Sequence, residues 1–303
     1  AVKDYFFKSK QSKLYILAID GFTAVVGDTT LSANNNVYET TIDRVTLVKF
    51  VSTSDTTKYF IFNIYNWGNA DYENGNGTID FPYEVTNLTQ LNAISKGLNY
   101  NYILKNDITA SGVWTPIGNA NAPFTGTLNG DNYTIYNLTI TSGNTIGLFG
   151  VINGGVVRNI KLTNYSIKGG SNVAVIAGKM IGATLDNVHI DGDVSGTSCV
   201  GGFVADADSD TNISNSTVKG NVFNIHASST GNVGGFAGKG GNYSNCVMYA
   251  TIEGCILIGG FVGGYKIDSS FENCFMAGTI HMRSGFSNNY PYFGIANGYG
   301  AWS

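Results

Sequence analysis

The chain repeats itself, and the repeat leaves few folds open to it. Six asparagines, Asn137, Asn159, Asn187, Asn215, Asn245 and Asn273, follow one another at steps of 22, 28, 28, 30 and 28 residues. Two residues before each lies Ile135, Val157, Leu185, Ile213, Tyr243 or Phe271. Three residues after it lies Ile140, Leu162, Ile190, Val218, Met248 or Met276. A period of this length, with apolar residues at constant phase, is the signature of stacked units sharing one core.

A glycine landmark runs in step with the asparagines. It reads Ile146-Gly147-Leu148-Phe149-Gly150, then Val173 to Gly178, then Val200-Gly201-Gly202-Phe203, Val233-Gly234-Gly235-Phe236 and Ile258-Gly259-Gly260-Phe261. Two landmarks per unit imply at least two strands per coil, at about 27 residues per coil, which describes a β-solenoid. Glycine is expected at the corners, where its backbone freedom serves, with the large residue after it filling the interior. The six asparagines are expected to point inward at corners, as a structural ladder that satisfies buried backbone.

Residues 1–78 lie outside the repeat and read as a small all-β, sandwich-like domain for attachment or assembly. Its clearest strand, Tyr59 to Tyr65, is apolar on both faces, as a covered strand would be. The Gly-containing stretch Asn66 to Thr78 is the expected linker. Residues 79–303 form the parallel β-helix domain, with a helix over 86–97 (Leu88, Leu91 and Ile94 on one side, Gly97 at its end) capping the open end.

Composition narrows the partners. Only 13% of residues are charged and the formal net charge is −4, which argues against nucleic acid. No stretch of 18 apolar residues occurs, so membrane insertion is not expected. The start at Ala1 fits removal of a leader or of an initiator Met. Cys199, Cys246, Cys255 and Cys274 read as small core residues, and no CxxC pair points to zinc. A disulfide between stacked cysteines has to bridge strands ~4.8 Å apart, at some strain. Free internal thiols lean toward a reducing compartment, which suits a virion.

Chemistry-bearing residues are sparse. Asp206, Asp208 and Asp210 alternate in a loop as calcium candidates, but without the glycine and closing Glu of an EF-hand. His189 beside Asp191 and Asp193 has no partner set by spacing. The outward column two residues after each Asn reads Thr139, Lys161, His189, Thr217, Val247 and Phe275, and lacks the carboxylate pair of a glycosidase. No catalytic residue and no cofactor is expected. At the ends, Tyr5, Phe6 and Phe7, and Tyr292, Phe293 and Trp302, are candidate assembly contacts.

The landmark resembles the GLUG-motif repeat, whose Gly-Leu-x-Gly signature is matched by Gly147-Leu148-Phe149-Gly150. The prelude is similar too: Trp114-Thr115-Pro116-Ile117-Gly118, then Phe124-Thr125-Gly126-Thr127-Leu128-Asn129-Gly130 before Tyr133-Thr134-Ile135. The resemblance covers roughly residues 81–300. It implies a right-handed parallel β-helix in a microbial surface or secreted protein, as in non-catalytic regions of some immunoglobulin-A-cleaving peptidases. No HExxH motif is present, so peptidase activity is not implied. The expectation is therefore a non-enzymatic structural or adhesive subunit of a cell surface, extracellular assembly or virion. Self-association, other structural proteins or glycans would be its partners. The alternative is a carbohydrate-active enzyme, a lyase or hydrolase, on a β-helix.

Overall fold

The structure is a computed structural model that describes residues 2–7, 13–41, 45–66, 71–225, 231–255, 257–264 and 269–282. The chain divides into two compact units, residues 1–84 and 85–303.

In the first unit, strands β1 (Val2–Phe7), β2 (Lys13–Leu17), β3 (Phe22–Val26), β4 (Thr29–Thr30), β5 (Val37–Thr41), β6 (Val45–Ser52) and β7 (Tyr59–Asn66) form two sheets. One runs β1-β7-β6-β3-β4 and the other pairs β2 with β5. All pairings are antiparallel except β1 with β7, which is parallel. With β2 and β5 facing β3, β6 and β7, the strand order is that of an immunoglobulin-type sandwich. The period-2 alternation explains the packing. Leu14 and Ile16 turn toward Ala24, Val48, Phe50 and Ile64 in one core, with Phe50 and Phe60 stacked at 5.2 Å. Their alternates Tyr15 and Leu17 stay 59% and 74% exposed. Of the expected linker, residues 71–78 are compact. Asn76 is fully buried and its side chain accepts from the Thr78 backbone N–H, while Tyr72 stacks on Tyr83 at 4.7 Å.

The second unit opens with α1 (Leu88–Ala93), extended by a 3-10 turn to Lys96. Asn87 Oδ1 accepts from the Gln90 N–H, and Gln90 Oε1 accepts in return from the Thr86 N–H, a reciprocal cap that satisfies two orphan donors. Leu91 and Ile94 are fully buried. A β-solenoid of about six turns follows, every ladder in it parallel. Among the described residues the chain is all-β apart from this helix and turn, as expected.

Three inward columns on the largest sheet account for the apolar phase. The first runs Tyr102, Leu128, Val157, Leu185, Ile213, Tyr243, Phe271, at intervals of 26 to 30 residues. The second runs Ile135, Leu162, Ile190, Val218, Met248, Met276, and the third Ile140, Ile167, Val194, Val222, Ile252, Ile280. Hence Ile135 and Ile140 each belong one column away from the place the sequence pattern gave them. The first step of 22 residues is shorter than a coil for the same reason: Asn137 lies in register with Asn164, not with Asn159.

Asparagine and glycine exchange the roles expected of them. All six asparagines have left-handed backbone, with φ between 50° and 60°. Asparagine is the non-glycine residue that visits this region most readily, because its short amide bonds locally. Their side chains are half-buried or exposed rather than inward, and the residue after each of the first five enters the core: Leu138, Ile160, Val188, Ser216 and Cys246 are all buried, while Cys274 is half-buried. The glycines of the landmark are not at left-handed corners. They lie where coils approach too closely for a side chain: a Cβ on Gly202 would come within 2.1 Å of the Gly235 carbonyl oxygen. That approach seats the aromatic column, in which Phe203, Phe236 and Phe261 are fully buried with ring centroids 4.9 and 4.7 Å apart.

Candidate functional site

The asparagine corner carries a ladder of side-chain amides. Asn159 Nδ2 donates to Asn129 Oδ1 at 3.1 Å, Asn187 Nδ2 to Asn159 Oδ1 at 2.9 Å, Asn245 Nδ2 to Asn215 Oδ1 at 3.2 Å, and Asn273 Nδ2 to Asn245 Oδ1 at 3.3 Å. The run breaks once. His189 Nε2 lies 2.9 Å from Asn187 Oδ1 and takes that acceptor, while Asn215 Nδ2 turns to Asp186 Oδ1 at 2.7 Å.

His189 therefore links the corner to the outer wall beyond it. Its Nδ1 is 2.8 Å from Thr217 Oγ1 on the next coil. Burial, reinforced by the Lys161 and Lys219 charges, holds its pKa below the usual histidine value, so the ring is neutral near pH 7. On this wall Lys161, His189, Thr217, Val247 and Phe275 are in register, and Thr134 rather than the expected Thr139 begins the column. Beside it Asp191 lies opposite Lys219 in the strand register, and the Lys219 Nζ is 5.8 Å from the ring centre of Tyr249. Asp193 accepts from Asn221 Nδ2 at 2.7 Å. The wall thus grades from charged on the early coils to aromatic on the later ones, where Tyr249 is 49% and Phe275 61% exposed. Sequence reading missed Tyr249. Its signal was position, four residues after a corner Asn, where the chain faces out again.

The calcium candidates do not converge. Asp206 pairs with Lys239 at 3.1 Å. Asp208 accepts from the Gly182 N–H at 3.0 Å and from Thr211 Oγ1 at 2.7 Å; burial opposes its ionisation, but these bonds prevail and lower its pKa. The carbonyl of Asp210 accepts from Asn212 Nδ2 at 3.0 Å. Among the described residues no three His, Cys, Asp or Glu side chains cluster as a metal site. The first two carboxylates serve corners and neighbouring coils instead. Of the candidate assembly contacts, Tyr5, Phe6 and Phe7 belong to β1 by backbone, with side chains outside the described residues, and Tyr292, Phe293 and Trp302 lie outside them altogether.

A sandwich followed by a β-solenoid with a left-handed asparagine corner defines a class of β-repeat protein. Residues 2–192, well over half the chain, match the M26 IgA1-specific metallo-endopeptidase N-terminal region, and the chain belongs to this family. It is 42% identical to halomucin of Haloquadratum walsbyi over 149 residues, which is 43% of this chain and 2% of that protein. It is 31% identical to an immunoglobulin A1 protease of Streptococcus sanguinis over 237 residues, 71% of this chain and 12% of that protein. The chain thus spans a small fraction of the relatives it matches. A crystal structure of a putative immunoglobulin A1 protease from Bacteroides ovatus shares the fold, with a TM-score of 0.59 at 22% identity over 76% of this chain and 87% of that one.

These findings correct the expected function. Relatives that are metallo-endopeptidase N-terminal regions make this a protease-related chain, which overturns the reading as a purely non-enzymatic structural or adhesive subunit. The carbohydrate-active alternative falls with it. What carries over from the GLUG resemblance is the solenoid, since the family that the relatives share is the M26 N-terminal region and not the GLUG repeat. The virion has no support among them. Among the described residues no helix is long and apolar enough to cross a membrane. The donors do not fit a peptidase zinc site either: His189, His226 and His281 are the chain's three histidines, and no HExxH links any two of them.

Proposed function

We propose that this chain is the non-catalytic N-terminal region of an extracellular metallo-endopeptidase. Its solenoid presents the outer wall around His189, Lys219, Tyr249 and Phe275 to the protein substrate. The observation that carries the reading is the family match over residues 2–192. The absence of a zinc donor set in the sequence fits a region that binds rather than cleaves. Immunoglobulin A1 is the first substrate to try, because relatives bearing that name align over 71% of the chain. Contacts remote from the scissile bond act through binding, so this wall would lower KM and leave the chemical step to another part of the protein.

The test uses the whole product of the gene. The expected result is a zinc-binding HExxH beyond these residues and hydrolysis of immunoglobulin A1 or a related secreted glycoprotein. Replacing Tyr249 and Phe275 by Ala should raise KM several-fold with kcat kept. A whole product with no peptidase motif would overturn the reading, and an unchanged KM would remove the wall from it.

A further inference from the structure

Cys246 and Cys274 occupy the same position on consecutive coils. They directly follow the ladder residues Asn245 and Asn273, and Val247 lies opposite Phe275 in the parallel register. The Phe275 N–H donates to the Cys246 carbonyl at 2.9 Å, which fixes the two backbones side by side. Parallel neighbours sit about 4.8 Å apart, inside the 4.4–6.8 Å range of Cα separations that a disulfide spans.

The two side chains also share an orientation. Cys246 Sγ donates to the Ser244 carbonyl at 3.2 Å and Cys274 Sγ to the Glu272 carbonyl at 3.3 Å, each two residues back. Closure therefore requires side-chain rotation and an approach of the two Cβ atoms by roughly 1 Å, from the ~4.8 Å strand spacing toward the ~3.8 Å typical of a disulfide. Accessibility separates the thiols: Cys246 is fully buried and Cys274 half-buried. Interaction with the Cys246 thiol lowers the Cys274 pKa to about 7, and the same interaction keeps Cys246 protonated. A thiol that titrates near ambient pH is the efficient attacking group in disulfide exchange. Cys199 and Cys255 have no such relation, since at the Val200, Val233, Ile258 register their coils are two apart.

We propose that Cys246 and Cys274 form a thiol–disulfide exchange site, with Cys274 attacking and Cys246 resolving. The co-reactant is an external disulfide, RS–SR, of the kind an oxidising extracellular medium supplies. The Cys274 thiolate attacks one sulfur of RS–SR, the S–S bond breaks, and RS⁻ leaves and takes a proton from solvent. Cys246 then loses its proton and attacks the Cys274 sulfur of the mixed disulfide, releasing the second RS⁻ as a thiol. Two protein thiols are oxidised and one disulfide is reduced to two thiols. The bond formed staples the coil bearing Cys274 to the one before it.

The full chain incubated with oxidised glutathione, alkylated, digested and read by mass spectrometry tests this. The expected product is a linked peptide pair carrying Cys246 and Cys274, with Cys199 and Cys255 alkylated only after unfolding. In Cys246→Ser the reaction should stop at a glutathione adduct on Cys274. In Cys274→Ser, Cys246 should stay free. Oxidation should also raise the Tm of the unsubstituted protein and leave that of Cys274→Ser unchanged. Alkylation of both cysteines in the oxidised unsubstituted protein would overturn the site, whatever the variants do. An adduct on Cys246 in Cys274→Ser would overturn the assignment of roles.

Discussion

The two units solve the same problem, burying strands, with opposite economies of sequence. In the sandwich, partners are remote: Val2 of β1 lies opposite Ile61 of β7, and one cluster around Val48 and Phe50 serves both sheets. In the solenoid every ladder joins residues about one coil apart, and the core is a set of columns rather than a single cluster. The sandwich should therefore stand or fall as a whole, while damage to the solenoid starts at one coil and spreads to its neighbours. The solenoid also permits a ladder of identical side chains, which the sandwich's antiparallel pairing of unlike residues does not.

The largest expected effects test whether the two cores are independent. Phe236→Ala removes the middle ring of the aromatic column and should cost the solenoid about 3–5 kcal/mol, and Phe50→Ala should cost the sandwich a similar amount. In calorimetry each change should move its own transition and leave the other in place. If both transitions moved together, the comparison would fail.

Asn187 comes next, because it both adopts left-handed backbone and holds two side-chain bonds. Asn187→Ala should cost about 1–2 kcal/mol more than Asn187→Gly, since glycine keeps the backbone without strain. Equal losses in chemical denaturation would mean the amide ladder, not the corner, carries the energy.

The ion pair between Asp206 and Lys239 is partly solvated, so Lys239→Met should cost about 0.2–1 kcal/mol and less in high salt. The smallest effect belongs to His189. Its folded pKa lies below the unfolded value, so the unfolded chain binds more protons as pH falls through about 6.5, and stability declines there. His189→Gln should flatten the dependence of Tm on pH between about 7 and 5. A slope unchanged by the substitution would show that the ring is not held neutral.

Much of this was legible along the chain. The asparagine period, the apolar phases and the glycine landmark led to a parallel β-solenoid, and the capping residues Thr86, Asn87 and Gln90 stand where a short helix begins. The outer wall was only half legible: Lys161, His189 and Phe275 fell in the expected column, but Tyr249 did not. Outward residues are not held to one chemistry by a core, so no period announces them. Function was the least legible, because a solenoid binds with whatever its outer surface carries.

The sequence by itself determined that coils of about 27 residues stack in parallel, because only that arrangement keeps each apolar column continuous. It did not determine which residue turns the corner. A left-handed asparagine and a close-packed glycine look alike in a string of small polar residues, and both recur once per coil. Only the tertiary structure separated them, since Asn159 and its successors show positive φ and Gly202 shows a carbonyl where a Cβ would be. It likewise moved Asn137 out of the ladder and set Cys246 beside Cys274. Register is a property of pairs of coils, and a period read along one chain leaves it free to slip.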